Sequence, residues 1–424
     1  MLDIKRFRTD PDAIREGLTA RGADPAAVDG VLDYDARRRE KLTEVEGLKA
    51  ERKTVSKQIG VRKAAGEDVE SVMEEMRVLG DRIAALDDEV REIDASLEDA
   101  ALRIPNVPHA STPRGLTEDD NQVVRTVGEV PTFDFEPKSH IELGEALGIL
   151  DLKRAARMSG SGFPLFVGQG SRLVRALTNY MLDMHIDKHG YTEVSPPFLC
   201  AGHSMTGTGQ LPKMAEDMYK LVDEDLYLIP TAEVPVTNMY REEIMEGPLP
   251  VYRTAYTPCF RREAGAAGKD TRGIIRVHQF DKVEMVKFVE PETSYDEFER
   301  LVGEAEDVLT SLNLPYRVLS LCSGDISFAA AKCFDLELWA PGQNGWLEVS
   351  SCSNFEDFQA RRAGIRYRNK DGKTAFVHTL NGSGVALPRL IVALLETGQQ
   401  ADGSVVLPEP LVPYMGGVSR LTAE

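Results

Sequence analysis

Between residues 251 and 290 the chain gathers side chains suited to chemistry on anions. Phe260-Arg-Arg-Glu263 closes one strand-like run, and Arg276-Val-His-Gln-Phe-Asp-Lys-Val-Glu284 lies in the next. Residues 264–273, between them, are mostly small or polar and read as a loop, so the pattern predicts a β-hairpin. Side chains alternate along a strand. Arg276, His278, Phe280, Lys282 and Glu284 then share one face of the return strand, and Ile275, Val277, Val283 and Met285 take the core side. Arg261 and Glu263 share a face of the outgoing strand. Guanidinium groups, an aromatic ring and carboxylates would fall within roughly 13 Å, at ~3.3 Å per residue. Such a face can hold a nucleotide joined to a second small ligand. It can equally be a solvated sheet face whose charges pair across strands.

The elements that must position this hairpin are legible around it. Residues 171–188 carry Leu173, Val174, Leu177, Met181 and Met184 at helical spacing and lead into Tyr191-Thr-Glu-Val-Ser-Pro-Pro-Phe-Leu199. Two prolines keep that strand at an edge or an interface. His185 and His189, four apart on the helix, have a spacing that can hold a metal or simply form a structural pair. Near the start, Asp10-Pro11 marks a helix N-terminus within a short helical cap over residues 1–25. Two long helices then follow over 31–65 and up to Leu102, broken at Gly66. The second repeats Val69, Val72, Met76, Leu79, Ile83, Leu86, Val90, Ile93 and Leu97 in alternating steps of three and four, a coiled-coil seam. Val45, Leu48, Val55 and Ile59 offer a weaker match on the first, so the pair should form a projecting antiparallel hairpin.

That hairpin is electrically lopsided. Residues 37–63 hold ten bases and four acids (net +6), and residues 67–99 thirteen acids and three bases (net −10). Cross-helix pairing accounts for this; so does a basic stripe for nucleic-acid phosphates, with Arg38, Lys49, Arg52 and Lys53 as candidates. Pro105, Pro108 and Pro113 mark a linker. The expected domains are 1–110, including the arm at 31–102, then an entry segment at 111–135, then a catalytic domain at 136–424.

The whole chain of 424 residues carries a net charge of −19, which argues against nonspecific nucleic-acid binding. No apolar run suits a membrane span, and Met1-Leu-Asp-Ile-Lys-Arg-Phe-Arg lacks the apolar core of a signal peptide. Five widely spaced cysteines read as reduced thiols of a cytoplasmic protein.

Taken together, the helix running into a proline-bearing strand, the Arg-rich hairpin and a late Gly-rich strand and helix with an arginine resemble the three signature motifs of class II aminoacyl-tRNA synthetases. Finer words resemble the bacterial seryl-tRNA synthetases across nearly the whole chain: Pro105-Asn-Val-Pro-His109, Thr208-Gly-Gln-Leu-Pro-Lys213, Pro230-Thr-Ala-Glu233, Glu348-Val-Ser-Ser-Cys-Ser-Asn354 and Asn381-Gly-Ser-Gly384. The resemblance implies an α+β fold: an antiparallel-sheet catalytic domain with flanking helices, plus an N-terminal antiparallel coiled-coil arm. It implies ATP, L-serine and tRNA(Ser) as partners, with tRNA(Sec) left open, Mg²⁺ as cofactor, and a homodimer across the Pro196–Pro197 strand.

It also implies roles. Arg261 would bridge the amino-acid carboxylate and the α-phosphate, Arg276 would touch phosphate or adenylate, and Arg389 would clamp the γ-phosphate. ATP would also meet Arg262, Glu263, Val277, Phe280, Glu348, Val349, Ser350 and Ser351, with Mg²⁺ on Glu348 and Ser351. Serine would meet Thr231, Ala232, Glu233, Glu284, Asn381 and Ser383. Lys269 and Arg272, in the hairpin loop, would guide the tRNA acceptor end. One departure stands out: Pro388 precedes Arg389 where the family usually has glycine, which leaves a helix-surface arginine as the other reading. A relative charging another carrier, or a non-catalytic RNA-binding paralogue, remains the alternative; the long arm opposes the first and the retained Arg261, Glu263, Glu284, Glu348 and Ser383 the second.

Overall fold

The structure, a computed structural model, describes residues 1–264 and 272–423. The chain divides into two compact units, Met1–Pro105 and Asn106–Glu424.

In the first unit, α1 (Ile4–Thr9) and α2 (Pro11–Ala20) precede two long helices, α3 (Ala27–Ala64) and α4 (Glu70–Leu102). Asp10 caps α2 through the Ala13 N–H, with Pro11 in the first turn where its missing donor costs nothing. The helices α3 and α4 pair along the expected seam: Ile83, Leu86, Val90, Ile93 and Leu97 are buried on α4, and Val45 answers them on α3. The charge asymmetry is used across the seam. Lys41 pairs with Glu89 and Lys49 with Asp87, both at 2.8 Å, Arg82 with Glu44 at 2.7 Å, and Arg38 with Asp94.

The second unit is built on an eight-stranded sheet of β1 (Gln122–Val127), β2 (Thr192–Glu193), β3 (Val251–Phe260), β4 (Gln279–Val289), β5 (Tyr316–Ser320), β6 (Lys332–Ala340), β7 (Gly345–Asn354) and β8 (His378–Ala386). Their order is β1-β5-β6-β7-β8-β4-β3-β2, antiparallel throughout except for the short parallel pair β2–β3 at one edge. Helices α5 (His140–Ala146), α6 (Gln169–Asp187), α7 (Ser294–Ser311) and α8 (Leu387–Gly398) bring Leu143, Leu173, Leu177, Met181, Phe298, Leu301, Leu390 and Ile391 into one core with the sheet residues Val283, Met285, Leu336, Leu338 and Leu380. The α+β architecture is as expected.

Three expectations need correction. The segment after Pro105 is no loose linker. Asn106 Nδ2 donates to the carbonyls of Ala329 and Phe355 at 2.9 Å, the His109 N–H and Thr112 Oγ1 both donate to Ala331 O, and Ser323 N–H donates to Pro113 O. The second compact unit starts at Asn106, and residues 111–135 supply its edge strand β1. The proline-bearing stretch is not one strand: β2 ends at Glu193, and Leu199–Ala201 pairs separately with Leu226–Leu228. Finally, the return strand begins at Gln279, so alternation does not reach Arg276.

Candidate active site

A cavity of about 550 Å³ opens over the sheet face carried by β4, β7 and β8. Arg261 follows directly on β3. Its Nε donates to Pro230 O at 3.3 Å, and its guanidinium lies 5.0 Å from the centroid of the Phe280 ring. Arg276 comes from a turn instead of a strand, and that turn is pinned. The Ile274 N–H donates to His140 Nε2 at 3.3 Å, while His140 Nδ1 donates to the buried Glu396 carboxylate at 2.9 Å. Arg276 then pairs with Glu263 at 3.3 Å. Arg389 sits in the first turn of α8, where Pro388 is accommodated without losing a helical donor. It donates to Ile275 O at 3.1 Å and to Glu348 O at 2.7 Å, and pairs with the Glu348 carboxylate at 3.2 Å. It lines the cavity, so the reading as a plain surface arginine falls.

Glu348 and Ser351 are an odd number of residues apart, and a regular strand would send them to opposite faces. A bulge between Glu348 and Ser350 removes the conflict, and both side chains line the cavity. Asp335, across from Ser351 on β6, completes an oxygen-rich corner. Burial, then the neighbouring Glu348, push its carboxyl well above the usual range. A carboxylate pair disfavoured by its own charge, beside a hydroxyl, is a donor set that fits a hard divalent cation. Among the described residues no three His, Cys, Asp or Glu side chains converge as a complete metal site.

The other end of the cavity is a network around two buried carboxylates. Glu284 is 1% exposed; its Oε1 accepts from Asn381 Nδ2 at 2.8 Å and its Oε2 pairs with Lys282. Lys282 also donates to Thr231 Oγ1 at 2.9 Å. Ser383 stands directly opposite Glu284 on β8. Glu233 accepts from Gln359 Nε2 at 2.5 Å. Burial, then Glu284, raise its pKa to about 7, against the pull of Gln359, Lys282 and Arg261.

Most of the expected site thus converges. Arg261, Glu263, Arg276, Val277 and Phe280 line the cavity from the hairpin; Glu348, Val349, Ser351 and Arg389 from the far side; and Thr231, Glu233, Asn381 and Ser383 from the closed end. Four do not line it. Arg262 is exposed, its N–H held by Asp217 O; Ala232 is fully buried in the core; Ser350 turns away to donate to Ser383 O at 2.6 Å; and Glu284 lies beneath the floor. Arg272 is exposed, and Lys269 lies outside the described residues. On the arm, Arg38 and Lys49 are engaged across the helix pair, whereas Arg52 and Lys53 are exposed. Gln359 and Asp335 were missed, and Lys282, placed on the right face, was given no role. Charged or amide residues inside otherwise apolar strand and helix runs were the available signal.

Two family models match: the seryl-tRNA synthetase N-terminal domain over residues 1–108 and the tRNA synthetase class II core domain (G, H, P, S and T) over residues 218–398. A serine–tRNA ligase of an Exiguobacterium species is 55% identical over 423 residues, spanning 99% of both chains. The chain belongs to the seryl-tRNA synthetase family. Another seryl-tRNA synthetase relative, the serine–tRNA ligase of Clostridium tetani, is 53% identical over 98% of this chain and 99% of its own. The seryl-tRNA synthetase of Pyrococcus horikoshii, solved with ATP, superimposes with a TM-score of 0.93 at 39% identity over 100% of both chains. The cytoplasmic enzyme of Naegleria fowleri, solved with AMP, gives 0.88 at 31% identity, covering 100% of this chain and 99% of that one. Membership accounts for the antiparallel sheet, the coiled-coil unit and the cavity lined by the hairpin and the late strand and helix.

Proposed function

We propose that this chain is a serine–tRNA ligase that joins L-serine to ATP as seryl-adenylate, releasing pyrophosphate, and then passes serine to the 3′-terminal adenosine of tRNA(Ser). The observation that carries the reading is one cavity with three arginines along its open side and a sealed Thr231–Lys282–Glu284–Asn381 network at its end.

The serine carboxylate is already ionised at neutral pH, so its attack on the α-phosphate needs no general base. The barrier lies in bringing two anions together and spreading the added charge of the transition state. Arg261 is placed to hold carboxylate and α-phosphate side by side, Arg276 to share the phosphate charge and Arg389 to draw the γ-phosphate away in line. Phe280 offers a face for adenine, and Glu263 an acceptor for its exocyclic amine. Glu348 and Ser351, with Asp335 close by, would hold Mg²⁺, which supplies charge neutralisation on the phosphate oxygens.

Serine is selected at the sealed end. Glu233 and Thr231 receive the ammonium, and Ser383 and Asn381 read the hydroxyl, with the buried Glu284 bracing Asn381 from beneath. Alanine would leave these buried polar groups unpaired, a discrimination of roughly 10⁴-fold in hydroxyl-reading sites. Arg52 and Lys53 on the arm suit tRNA phosphates, which is recognition of shape more than of bases. The exposed edge near β2, with Phe198 at 41% and Leu199 at 39% exposure, supports a homodimer across this stretch.

The test is ATP–pyrophosphate exchange with each of the twenty amino acids and no tRNA. Exchange with serine alone is expected; exchange with several, or with none, would sink the reading. Deleting residues 31–102 should spare exchange and abolish tRNA charging.

A further inference from the structure

His185 and His189, whose spacing alone allowed a metal or a structural pair, take part in a chain of contacts that ends at the serine pocket. Strand β8 is irregular between Ser383 and Ala386, which takes carbonyls out of the ladder. Two side chains supply the missing donors: Ser350 Oγ to Ser383 O at 2.6 Å, and His185 Nε2 to Gly384 O at 3.1 Å. Behind it, His185 Nδ1 lies 2.9 Å from His189 Nδ1, and His189 Nε2 lies 2.9 Å from Asp307 Oδ2 on α7. Both rings are buried. Gly384 has no room for a side chain, because a Cβ there would stand 2.3 Å from His185 Nε2.

These contacts fix the hydrogens. A carbonyl and a carboxylate only accept, so both Nε2 atoms must carry hydrogen. The two Nδ1 atoms, 2.9 Å apart, need one hydrogen between them, since two bare lone pairs would repel. Three hydrogens on four ring nitrogens make one neutral imidazole and one imidazolium. His185 is the neutral partner: burial first, then the charge of His189, lower its pKa to about 4, against the Gly384 bond. The positive charge therefore rests on His189, against Asp307. That carboxylate stays below its ordinary range although burial opposes it, because Lys188 and His189 both donate to it. Lys188 also pairs with Asp307, at 2.7 Å, and Tyr191 meets His185 edge-on at 5.9 Å and gives its hydroxyl to Glu304 at 2.6 Å.

We propose that Asp307, His189 and His185 form a positioning chain for serine recognition: they hold the Ser383–Gly384 irregularity in register, so that Ser383, seated opposite the buried Glu284, meets the substrate hydroxyl. This rests on the reading of the cavity's sealed end as the serine site. The chain touches no reacting atom, and its effect belongs to serine affinity alone.

Two variant pairs test it by serine-dependent pyrophosphate exchange. In Asp307→Asn the new amide can donate to His189 Nε2, which moves the ring hydrogen to Nδ1 and keeps every contact with both rings neutral. Its serine KM is expected within about twofold of the parent, whereas Asp307→Ala should raise it several-fold. His185→Gln, which can still donate to Gly384 O, should fall between the parent and His185→Leu, for which about a tenfold rise in serine KM is expected. The ATP KM should stay within about twofold throughout. Folded Asp307→Ala and His185→Leu variants with parental serine KM, or with serine and ATP KM rising alike, would overturn the proposal. Should the leucine variant not fold, the two substitutions at 307 decide it.

Nitrogen-15 spectra of the histidine rings give a readout independent of activity. His185 should be neutral with hydrogen on Nε2, and His189 doubly protonated in the parent but neutral in Asp307→Asn. Hydrogen on His185 Nδ1 would break the chain whatever the kinetics. If the parent protein shows no serine-dependent exchange, the functional reading fails, and the ring spectra still decide the chain.

Discussion

Serine binding should be linked to a proton through Glu233. Its carboxyl is 7% exposed and its pKa is raised to about 7 by burial and then by Glu284, with Gln359, Lys282 and Arg261 pulling the other way. Only the ionised form accepts a hydrogen bond and a charge from the serine ammonium on both oxygens. For a group of pKa about 7 that must be ionised to bind, the apparent dissociation constant scales as one plus 10 to the power (7 − pH). The factor is about 11 at pH 6 and about 1.1 at pH 8, a tenfold loss of affinity, or roughly 1.4 kcal/mol. Measured by exchange at saturating ATP, serine KM should climb about tenfold between pH 8 and pH 6, and Glu233→Gln should weaken binding at pH 8 and flatten the profile. A wild-type KM constant within twofold over that range would refute the reasoning.

The same group gives a stability signature with a definite sign. A carboxyl whose folded pKa is raised from an ordinary value near 4.5 to about 7 favours the folded state fully below pH ~4.5, and that contribution is lost as pH rises through about 7. The free protein should therefore lose stability from this site across that window, and Glu233→Gln should be relatively more stable at pH 8. Serine replaces the missing counter-charge, so its upward shift of the melting temperature should be larger at pH 8 than at pH 6.

Three further outcomes are expected. Asp335→Asn should raise the Mg²⁺ concentration needed for half-maximal exchange several-fold, leave serine KM unchanged, and raise the melting temperature of the metal-free protein by removing a carboxylate whose charge is disfavoured. Gly384→Ala puts a Cβ 2.3 Å from the buried His185 ring, so urea unfolding should show a loss of about 1–3 kcal/mol, as for other overpacked sites. Arg52→Ala combined with Lys53→Ala should leave exchange untouched, weaken tRNA binding, and reduce the slope of log affinity against log salt by about 1 for each phosphate no longer neutralised; Arg38→Ala would instead loosen the arm by stranding Asp94.

The fold could be read from the sequence where a period is long and uninterrupted. The heptads of α4 and the apolar stripe of α6 appear within a few residues of their expected bounds, because tertiary packing there reinforces local preference. The site was legible as a set of residue types, but its geometry was not. Period-two alternation placed Arg276 on a strand, yet Gly273 adopts positive φ (70°), and His140 and Glu396 hold a turn there. The partners of that turn are more than a hundred residues away in sequence, beyond any local pattern. Glu348 and Ser351 line one cavity only because the ladder slips between Glu348 and Ser350, and nothing in Glu-Val-Ser-Ser announces a slip. The linker failed for the related reason that prolines report conformation and not attachment: Asn106 and Thr112 are fastened through side chains to carbonyls over two hundred residues on.

These irregularities share a physical logic. Three of the four cations of the cavity named here have a carboxylate: Arg276 has Glu263, Arg389 has Glu348, and Lys282 has Glu284, while Arg261 is held by Pro230 O and the Phe280 ring. Unpaired charges in a half-closed cavity would be costly, and in these pairs each guanidinium is held in place before ATP arrives. Binding is then an exchange of partners. Phosphate would take Arg389 from Glu348, and the freed carboxylate would then be available, with Ser351, to hold a divalent cation that supplies charge neutralisation. The Lys282–Glu284 pair is the one that must not exchange, because it is sealed beneath the floor and supports the groups that read the hydroxyl. Replacing Lys282 with Met should on this argument raise serine KM without altering ATP KM, since it would leave Glu284 buried without its counter-charge.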